Sequence, residues 1–193
     1  IATKASRMRF AAQDKALSDF GLRRAQGLSG YHASRAAFVG GADTTSNVRA
    51  PRDYNLTASV TMAHSFVQCH EEELSAFRSF ATAWPNDCIL LVDTYDTLRC
   101  GVPNAIVVAK GLEKKGCRLK GIRLDSGDLA YLSKQSRAQL DGAGLHYAKI
   151  AVSNQLDEYV IRSMLAQGAP IDIFGVGTSL VTGHPDAALD GVY

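Results

Sequence analysis

Gly121-Ile-Arg-Leu-Asp-Ser-Gly-Asp128 is the stretch that decides the fold. A short apolar run with one guanidinium inside it stops at two carboxylates, and a helix-forming segment begins at Leu129. The pattern recurs on both sides. Ile89–Val92 runs into Asp93-Thr94-Tyr95-Asp96, Ile150–Val152 into Ser153-Asn154, and Ile171–Val176 into Gly177-Thr178. The polar ends at Asp93, Asp125, Asn154 and Gly177 lie 32, 29 and 23 residues apart, the length of one strand-plus-helix unit. Such spacing indicates parallel strands joined by helices, an α/β barrel-like core. Right-handed crossovers bring the strand C-termini to one rim, where parallel α/β folds place their chemistry.

Around this repeat the pattern predicts further elements. Apolar spacing from Ile1 to Leu17 suggests a helix, and Asp19–Arg24 an extended segment. A helix is expected over His32–Val39, stopped by Gly40-Gly41, and then a polar loop over Ala42–Asn47. Thr45-Ser46-Asn47 can cap a short helix, although Pro51–Asn55 has turn composition. Leu56–Met62 alternates weakly and is predicted to be a strand delivering His64. A helix is expected over Glu71–Trp84, with Leu74, Phe77, Ala81 and Trp84 on its apolar stripe. Strands at Ile89–Val92, Gly121–Leu124, Lys149–Ser153 and Ile171–Val176 alternate with helices at Val102–Lys115, Leu129–Gly142 and Asp157–Gln167.

Bulk properties narrow the class. At 193 residues with 46% hydrophobic and 21% charged side chains, the chain has enough apolar material for one globular catalytic core over 1–193. A net charge of +2 gives no basis for nucleic acid or an anionic membrane as partner. No apolar stretch is long enough to cross a bilayer, and no signal peptide is visible. Cys69, Cys88, Cys100 and Cys117 lack CxxC spacing and read as reduced, mostly buried thiols, which points to the cytoplasm. Asn55-Leu56-Thr57 fits a glycosylation sequon, read here as a chance match. The chain opens Ile-Ala-Thr-Lys without Met, so residues are expected to precede it.

The candidate chemistry sits at the strand ends. Asp93 and Asp125 occupy the same loop position on successive strands, suited to Mg2+ or ribose hydroxyls. Asp96 and Asp128 fit this role and the alternative one of helix N-cap. Arg123 lies within an apolar strand, where its charge needs an anionic partner. Phe174-Gly175-Val176-Gly177-Thr178 offers unobstructed backbone N–H groups for a phosphate, or simply a turn. Phe20 with Arg23-Arg24 offers an aromatic face and cations for a flat acid; the alternative is a solvated pair. His64 ends a predicted strand and reads as structural or catalytic. Lys149 begins a strand rather than ending one, which argues against a Schiff-base mechanism. These residues suit an enzyme core that binds a phosphorylated or polyanionic small molecule.

Five segments in order carry a resemblance: Asp19-Phe-Gly-Leu-Arg-Arg-Ala-Gln-Gly27, Thr61-Met-Ala-His-Ser65, Leu91-Val-Asp-Thr-Tyr-Asp-Thr97, Gly121–Asp128 and Phe174–Thr178. Together they closely resemble the nicotinate phosphoribosyltransferases, type II phosphoribosyltransferases of NAD salvage, over almost the whole chain. The resemblance implies a reaction joining nicotinate and phosphoribosyl diphosphate to give nicotinate mononucleotide and diphosphate. It also implies Mg2+, and coupled ATP hydrolysis through a phosphorylated histidine at the position of His64. It places Phe20 on the pyridine ring with Arg23 beside it. Asp93, Arg123 and Asp125 fall around the ribose and the metal-bound diphosphate, and Asn154 at the next strand end. Gly175, Gly177 and Thr178 match the loop that holds the 5′-phosphate. Nicotinamide-using relatives carry an acid at the position of Ser46. Ser46, together with Arg23 and Arg24, favours a carboxylate substrate, the acid nicotinate.

The chain departs from the family in two ways. The resemblance implies that it is much shorter than complete members, without the N-terminal segment that in the family builds a small domain and helps complete a partner's site in a homodimer. It also ends at Gly191-Val-Tyr193, short of the C-terminal region. Pro51, Asn55 and Val60 stand where the family usually has a glycine-bearing turn before the histidine motif. The alternatives are nicotinamide specificity, a non-catalytic fragment that depends on other segments, and a quinolinate phosphoribosyltransferase.

Overall fold

The computed structural model describes residues 1–59 and 61–182, so Val60 and Gly191–Tyr193 lie outside the described residues. In chain order the elements begin with α1 (Ala2–Ala12), β1 (Ala16–Asp19), a 3-10 turn (Gly21–Arg24), α2 (Leu28–Val39), β2 (Thr44–Thr45) and α3 (Arg49–Tyr54). Next come α4 (His64–Gln68), α5 (Glu73–Ala83), β3 (Ile89–Leu91), a π-turn (Thr97–Gly101) and α6 (Val102–Glu113). Then follow β4 (Gly121–Leu124), α7 (Leu129–Gly142), β5 (Lys149–Val152), α8 (Glu158–Ala166), β6 (Ile173–Val176) and α9 (Thr178–Val181). The chain divides into two compact units. Among the described residues, one takes 1–59, 153–166 and 173–182; the other takes 61–152 and 167–172.

In the first unit β1 is central and parallel to both neighbours. It pairs Asp19 with Thr45 of β2, and Ala16 through Asp19 with Ile173 through Val176 of β6. Leu17 and Phe174 are fully buried on these strands, with Met8 of α1 and Ile161 of α8. α1 packs along α8, and Lys4 Nζ lies 2.6 Å from Glu158 Oε2. Arg9 fixes the turn out of α1. Its guanidinium donates to the carbonyls of Gly41 (2.7 Å) and Lys15 (2.6 Å) and pairs with Asp43, whose carboxylate also accepts the Leu17 N–H at 2.8 Å.

The second unit carries β3, β4 and β5, all parallel, in the register Leu91–Arg123–Ala151. Leu90, Leu91, Ile122, Leu124 and Ile150 are fully buried together with Phe77 of α5 and Leu140 of α7. The runs are apolar on consecutive residues because both faces of a parallel strand are covered. Asp128 caps α7 by accepting the Tyr131 N–H at 3.0 Å. Asp96 caps the π-turn by accepting from the N–H groups of Leu98 (3.1 Å) and Arg99 (2.9 Å). Both residues therefore act as caps.

Several readings are corrected. The Asp19–Arg24 segment is extended only at its start, where β1 ends at Asp19, and Gly21–Arg24 is a 3-10 turn. The Ala42–Asn47 loop carries the short strand β2. The helix expected to Leu17 ends at Ala12, where Gln13 takes a positive φ of 57°, and Ala16–Asp19 is a strand. Its short apolar run continues the helical stripe in sequence, which hides the strand. Among the described residues of Leu56–Met62 there is no strand, only a bridge from Ala58 to Thr45, and His64 opens helix α4. The Pro51–Asn55 turn is the end of α3, which Asn47 starts by accepting the Arg49 and Ala50 N–H groups. Of the four free thiols Cys69 and Cys100 are exposed, Cys117 is intermediate, and Cys88 alone is buried.

Candidate active site

In the second unit, β3 and β4 end side by side, and the residues following them form a cluster. Asp93 is 7% exposed. Its Oδ2 accepts the Asp125 N–H at 2.6 Å and the Ser126 hydroxyl at 2.7 Å. One carboxylate thus ties the end of β3 to the loop after β4 and fixes the direction of Asp125. His64, the first residue of α4, reaches the same place from an extended segment. Its Nε2 lies 3.5 Å from Asp125 Oδ2 and 3.9 Å from Asp93 Oδ1, and its Nδ1 lies 3.1 Å from Thr94 Oγ1. The imidazole stays 36% exposed, so a solvent-borne ligand can reach it. Arg123 is the third residue of β4, part-buried and two positions before Asp125. Three of the four residues expected to be catalytic (His64, Asp93 and Asp125) are therefore in mutual contact, and Arg123 lies on the strand that delivers one of them. Glu73, at the start of α5, is buried too. Burial pushes its carboxyl above the ordinary range, the Asn104 amide at 2.8 Å pulls it back, and the charge of Asp93 raises it further.

In the first unit, β1 and β6 end together. The Phe20 N–H donates to the Val176 carbonyl at 2.7 Å, carrying the β1–β6 ladder past the last strand residue. The Phe20 ring then lies across Gly175. A Cβ built on Gly175 would fall 2.5 Å from Phe20 Cε2, and one on Gly177 would fall 2.9 Å from the Phe20 carbonyl oxygen. Both glycines are needed for this close approach, whatever else they bind. Arg24 Nε donates to Thr178 Oγ1 at 3.2 Å, linking the 3-10 turn to the start of α9. Arg23 is exposed on that turn. Asn154 is exposed with φ of 81°, in the loop after β5. Ser46 is half-buried, and its N–H donates to the Asp19 carbonyl at 2.8 Å.

A family model described as the nicotinate phosphoribosyltransferase (NAPRTase) family matches residues 15–187. The chain belongs to this family. It is 50% identical over 196 residues to a nicotinate phosphoribosyltransferase of Bacillus subtilis, a match that covers all of this chain and 39% of that protein. Among solved structures, nicotinate-nucleotide pyrophosphorylase from Pyrococcus furiosus is 30% identical with a TM-score of 0.80, over 93% of this chain and 46% of the other. Human nicotinic acid phosphoribosyltransferase is also 30% identical, with a TM-score of 0.78 over 91% and 46%. The α/β fold expected from the strand-helix repeat is the fold of these structures. The chain spans about two fifths of the length of the curated relative it matches.

Two residues adjacent to the family motifs' functional positions escaped the sequence reading. Asp19, 1% exposed, accepts the Gly21 N–H on Oδ1 and the Thr45 hydroxyl on Oδ2, both at 2.8 Å. It joins the Phe20–Arg24 turn to the strand leading to Ser46. Thr94 places its Oγ1 3.1 Å from His64 Nδ1. Both had a signal in the quoted motifs, but their partners lie on segments 26 and 30 residues away.

The donor set suits Mg2+. Asp93 Oδ1 is buried without a hydrogen-bond partner, and the Asp125 carboxylate is 27% exposed. These are hard oxygens in the number Mg2+ takes from protein when substrate phosphates supply the rest. Among the described residues no group of three or more His, Cys, Asp or Glu side chains is arranged to hold a metal alone. No helix among them is long and apolar enough to cross a membrane.

Proposed function

We propose that the protein transfers a phosphoribosyl group from phosphoribosyl diphosphate to nicotinate, with Mg2+, giving nicotinate mononucleotide and diphosphate, and couples this to ATP hydrolysis. The observation that carries the reading is the cluster of His64 with Asp93 and Asp125 at the ends of β3 and β4. It occurs in a chain of the nicotinate phosphoribosyltransferase family.

Phe20 offers its ring face to the pyridine, with Arg23 and Arg24 supplying positive charge for the carboxylate. Ser46 adds no negative charge to repel it. Gly175, Gly177 and Thr178 offer backbone N–H groups and a hydroxyl to the 5′-phosphate. Asn154 serves the ribose. Asp93 and Asp125 hold Mg2+ and accept from ribose hydroxyls. Mg2+, when bound, neutralises charge on the diphosphate as it leaves. Arg123 assists on the same developing charge, and catalysis is positional and electrostatic as the ribosyl carbon becomes cationic.

His64 is the phosphoryl acceptor. The Asp93 and Asp125 carboxylates lie on the Nε2 side of the ring. A ring nitrogen that carries no proton attacks the γ-phosphorus of ATP as the bond to the bridging oxygen breaks, releasing ADP. The positive charge left on the ring faces the two carboxylates. A homodimer in the cytoplasm completes this reading.

The test is incubation with γ-labelled ATP followed by mapping of the acid-labile phosphate. The label is expected on His64 and absent from His64→Gln. ATP turnover that survives undiminished in His64→Gln would overturn the assignment.

A further inference from the structure

We propose that Asp19 and Thr45 are positioning residues that fix where Ser46 stands relative to the Phe20 ring, and with it the preference for a carboxylate over an amide on the pyridine. The proposal rests on the reading of Phe20 and Ser46 as parts of the nicotinate pocket. Asp19, Ser34, Thr45 and Asn47 are buried polar residues of the first unit to which the reaction itself assigns no task. Burying a carboxylate is costly unless its oxygens are bonded. Asp19 meets that need in two directions: Oδ1 accepts the Gly21 N–H and Oδ2 the Thr45 hydroxyl, both at 2.8 Å. An amide in its place would turn its nitrogen toward one of these two donors.

The bonds fall on both sides of the two pocket residues. The Phe20 N–H is bonded to the Val176 carbonyl at 2.7 Å, and the next N–H, of Gly21, to the Asp19 carboxylate. The Ser46 N–H donates to the Asp19 carbonyl at 2.8 Å, and the next N–H, of Asn47, donates to Thr45 Oγ1 at 3.1 Å. The Thr45 hydroxyl thus accepts from the peptide after Ser46 and donates to the residue before Phe20, joining segments 26 residues apart. Behind it, the Asn47 amide donates to Ser34 Oγ of α2 at 3.3 Å and accepts the Arg49 and Ala50 N–H groups that open α3. Ser46 is therefore held from β1, α2 and α3 at once. This matters because a serine hydroxyl donates to a carboxylate and equally accepts from an amide. The absence of an acid admits nicotinate, and the placement of the hydroxyl against the stacked ring does the rest.

The test sets nicotinate against nicotinamide in one reaction and reads the ratio of their kcat/KM values for the unaltered chain, Thr45→Val and Thr45→Ser. The ratio does not depend on how much of each protein is folded, so a merely structural role would leave it where it was. Thr45→Val keeps the shape and removes the hydroxyl. It should raise the nicotinate KM and lower the ratio by about tenfold each, with the phosphoribosyl diphosphate KM within about twofold, as expected for a misplaced binding group. Thr45→Ser should restore the ratio. If Thr45→Val does not fold, Asp19→Asn takes its place, since its amide satisfies only one of the two donors, and the ratio should fall likewise. A ratio within about twofold of the unaltered chain in the variant that folds would overturn the proposal. An unaltered chain that shows no preference for nicotinate, or makes no mononucleotide, would instead overturn the reading of the pocket, and the proposal with it.

Discussion

Gly175→Ala separates two uses of the glycines in the Phe174–Thr178 segment. The new methyl would sit 2.5 Å from Phe20 Cε2, 2.7 Å from Cδ2 and 3.2 Å from Cζ. Carbon atoms in contact settle at about 3.5–4.0 Å, so the ring must retreat by about 1 Å. The Phe20 main chain cannot follow, because its N–H is bonded to the Val176 carbonyl at 2.7 Å. The adjustment therefore falls on the ring torsions. Overpacking of this kind costs about 1–3 kcal/mol, and the half-buried ring can turn toward solvent, which favours about 1 kcal/mol in overall stability. A displaced ring can no longer stack on a pyridine. An aromatic pair contributes about 0.5–1.5 kcal/mol, so the KM for nicotinate should rise roughly twofold to tenfold. The KM for phosphoribosyl diphosphate should change little. Steady-state rates with each substrate varied in turn, and a thermal melt, give all three quantities. Alanine keeps the backbone N–H offered to the phosphate, so an unchanged nicotinate KM with a raised phosphoribosyl diphosphate KM would refute the reasoning and show that the methyl meets the phosphate and not the ring.

Two further outcomes concern stability. Asp128→Ala removes the acceptor of the Tyr131 N–H and should destabilise the chain by about 1 kcal/mol in urea unfolding, while Asp128→Asn should keep most of the cap. Glu73 has a folded-state affinity for protons above that of the unfolded chain, so the folded state holds more protons as pH rises from the ordinary carboxylate range. The contribution of this residue to stability therefore falls with rising pH. Glu73→Gln should narrow any deficit, or widen any gain, relative to the unaltered chain between pH 4 and pH 7, measured by unfolding at each pH. A difference independent of pH would show that the carboxyl titrates alike in both states.

The sequence revealed most where the physics is local. β4 and α7 start and stop where their composition says, because Gly121, the Asp125–Asp128 turn and the Asp128 cap are all written within a few residues. β1 was hidden because three of its four residues are buried, which removes the alternation that marks a half-exposed strand. Leu56–Met62 shows the reverse case. Its weak alternation is not enough, because a strand needs a neighbour, and among the described residues the pairing with Thr45 is confined to Thr57–Ser59. The same limit applies to the site. Asp93, Asp125 and His64 were recognisable as chemistry, yet the contact of Asp93 with the Asp125 N–H links residues 32 apart and is made only by the β3–β4 pairing. Asp19 and Thr94 lay in plain view in the motifs. Their roles depend on Thr45 and His64, which no reading along the chain brings to them.

The most direct test of the account follows labelled nicotinate with the protein, phosphoribosyl diphosphate, Mg2+ and ATP, in the presence of excess unlabelled nicotinamide. The account predicts that nicotinate mononucleotide forms at a rate nicotinamide does not reduce, and that formation is lost in Asp93→Ala. Failure to form the mononucleotide, or equal use of nicotinamide, would contradict it.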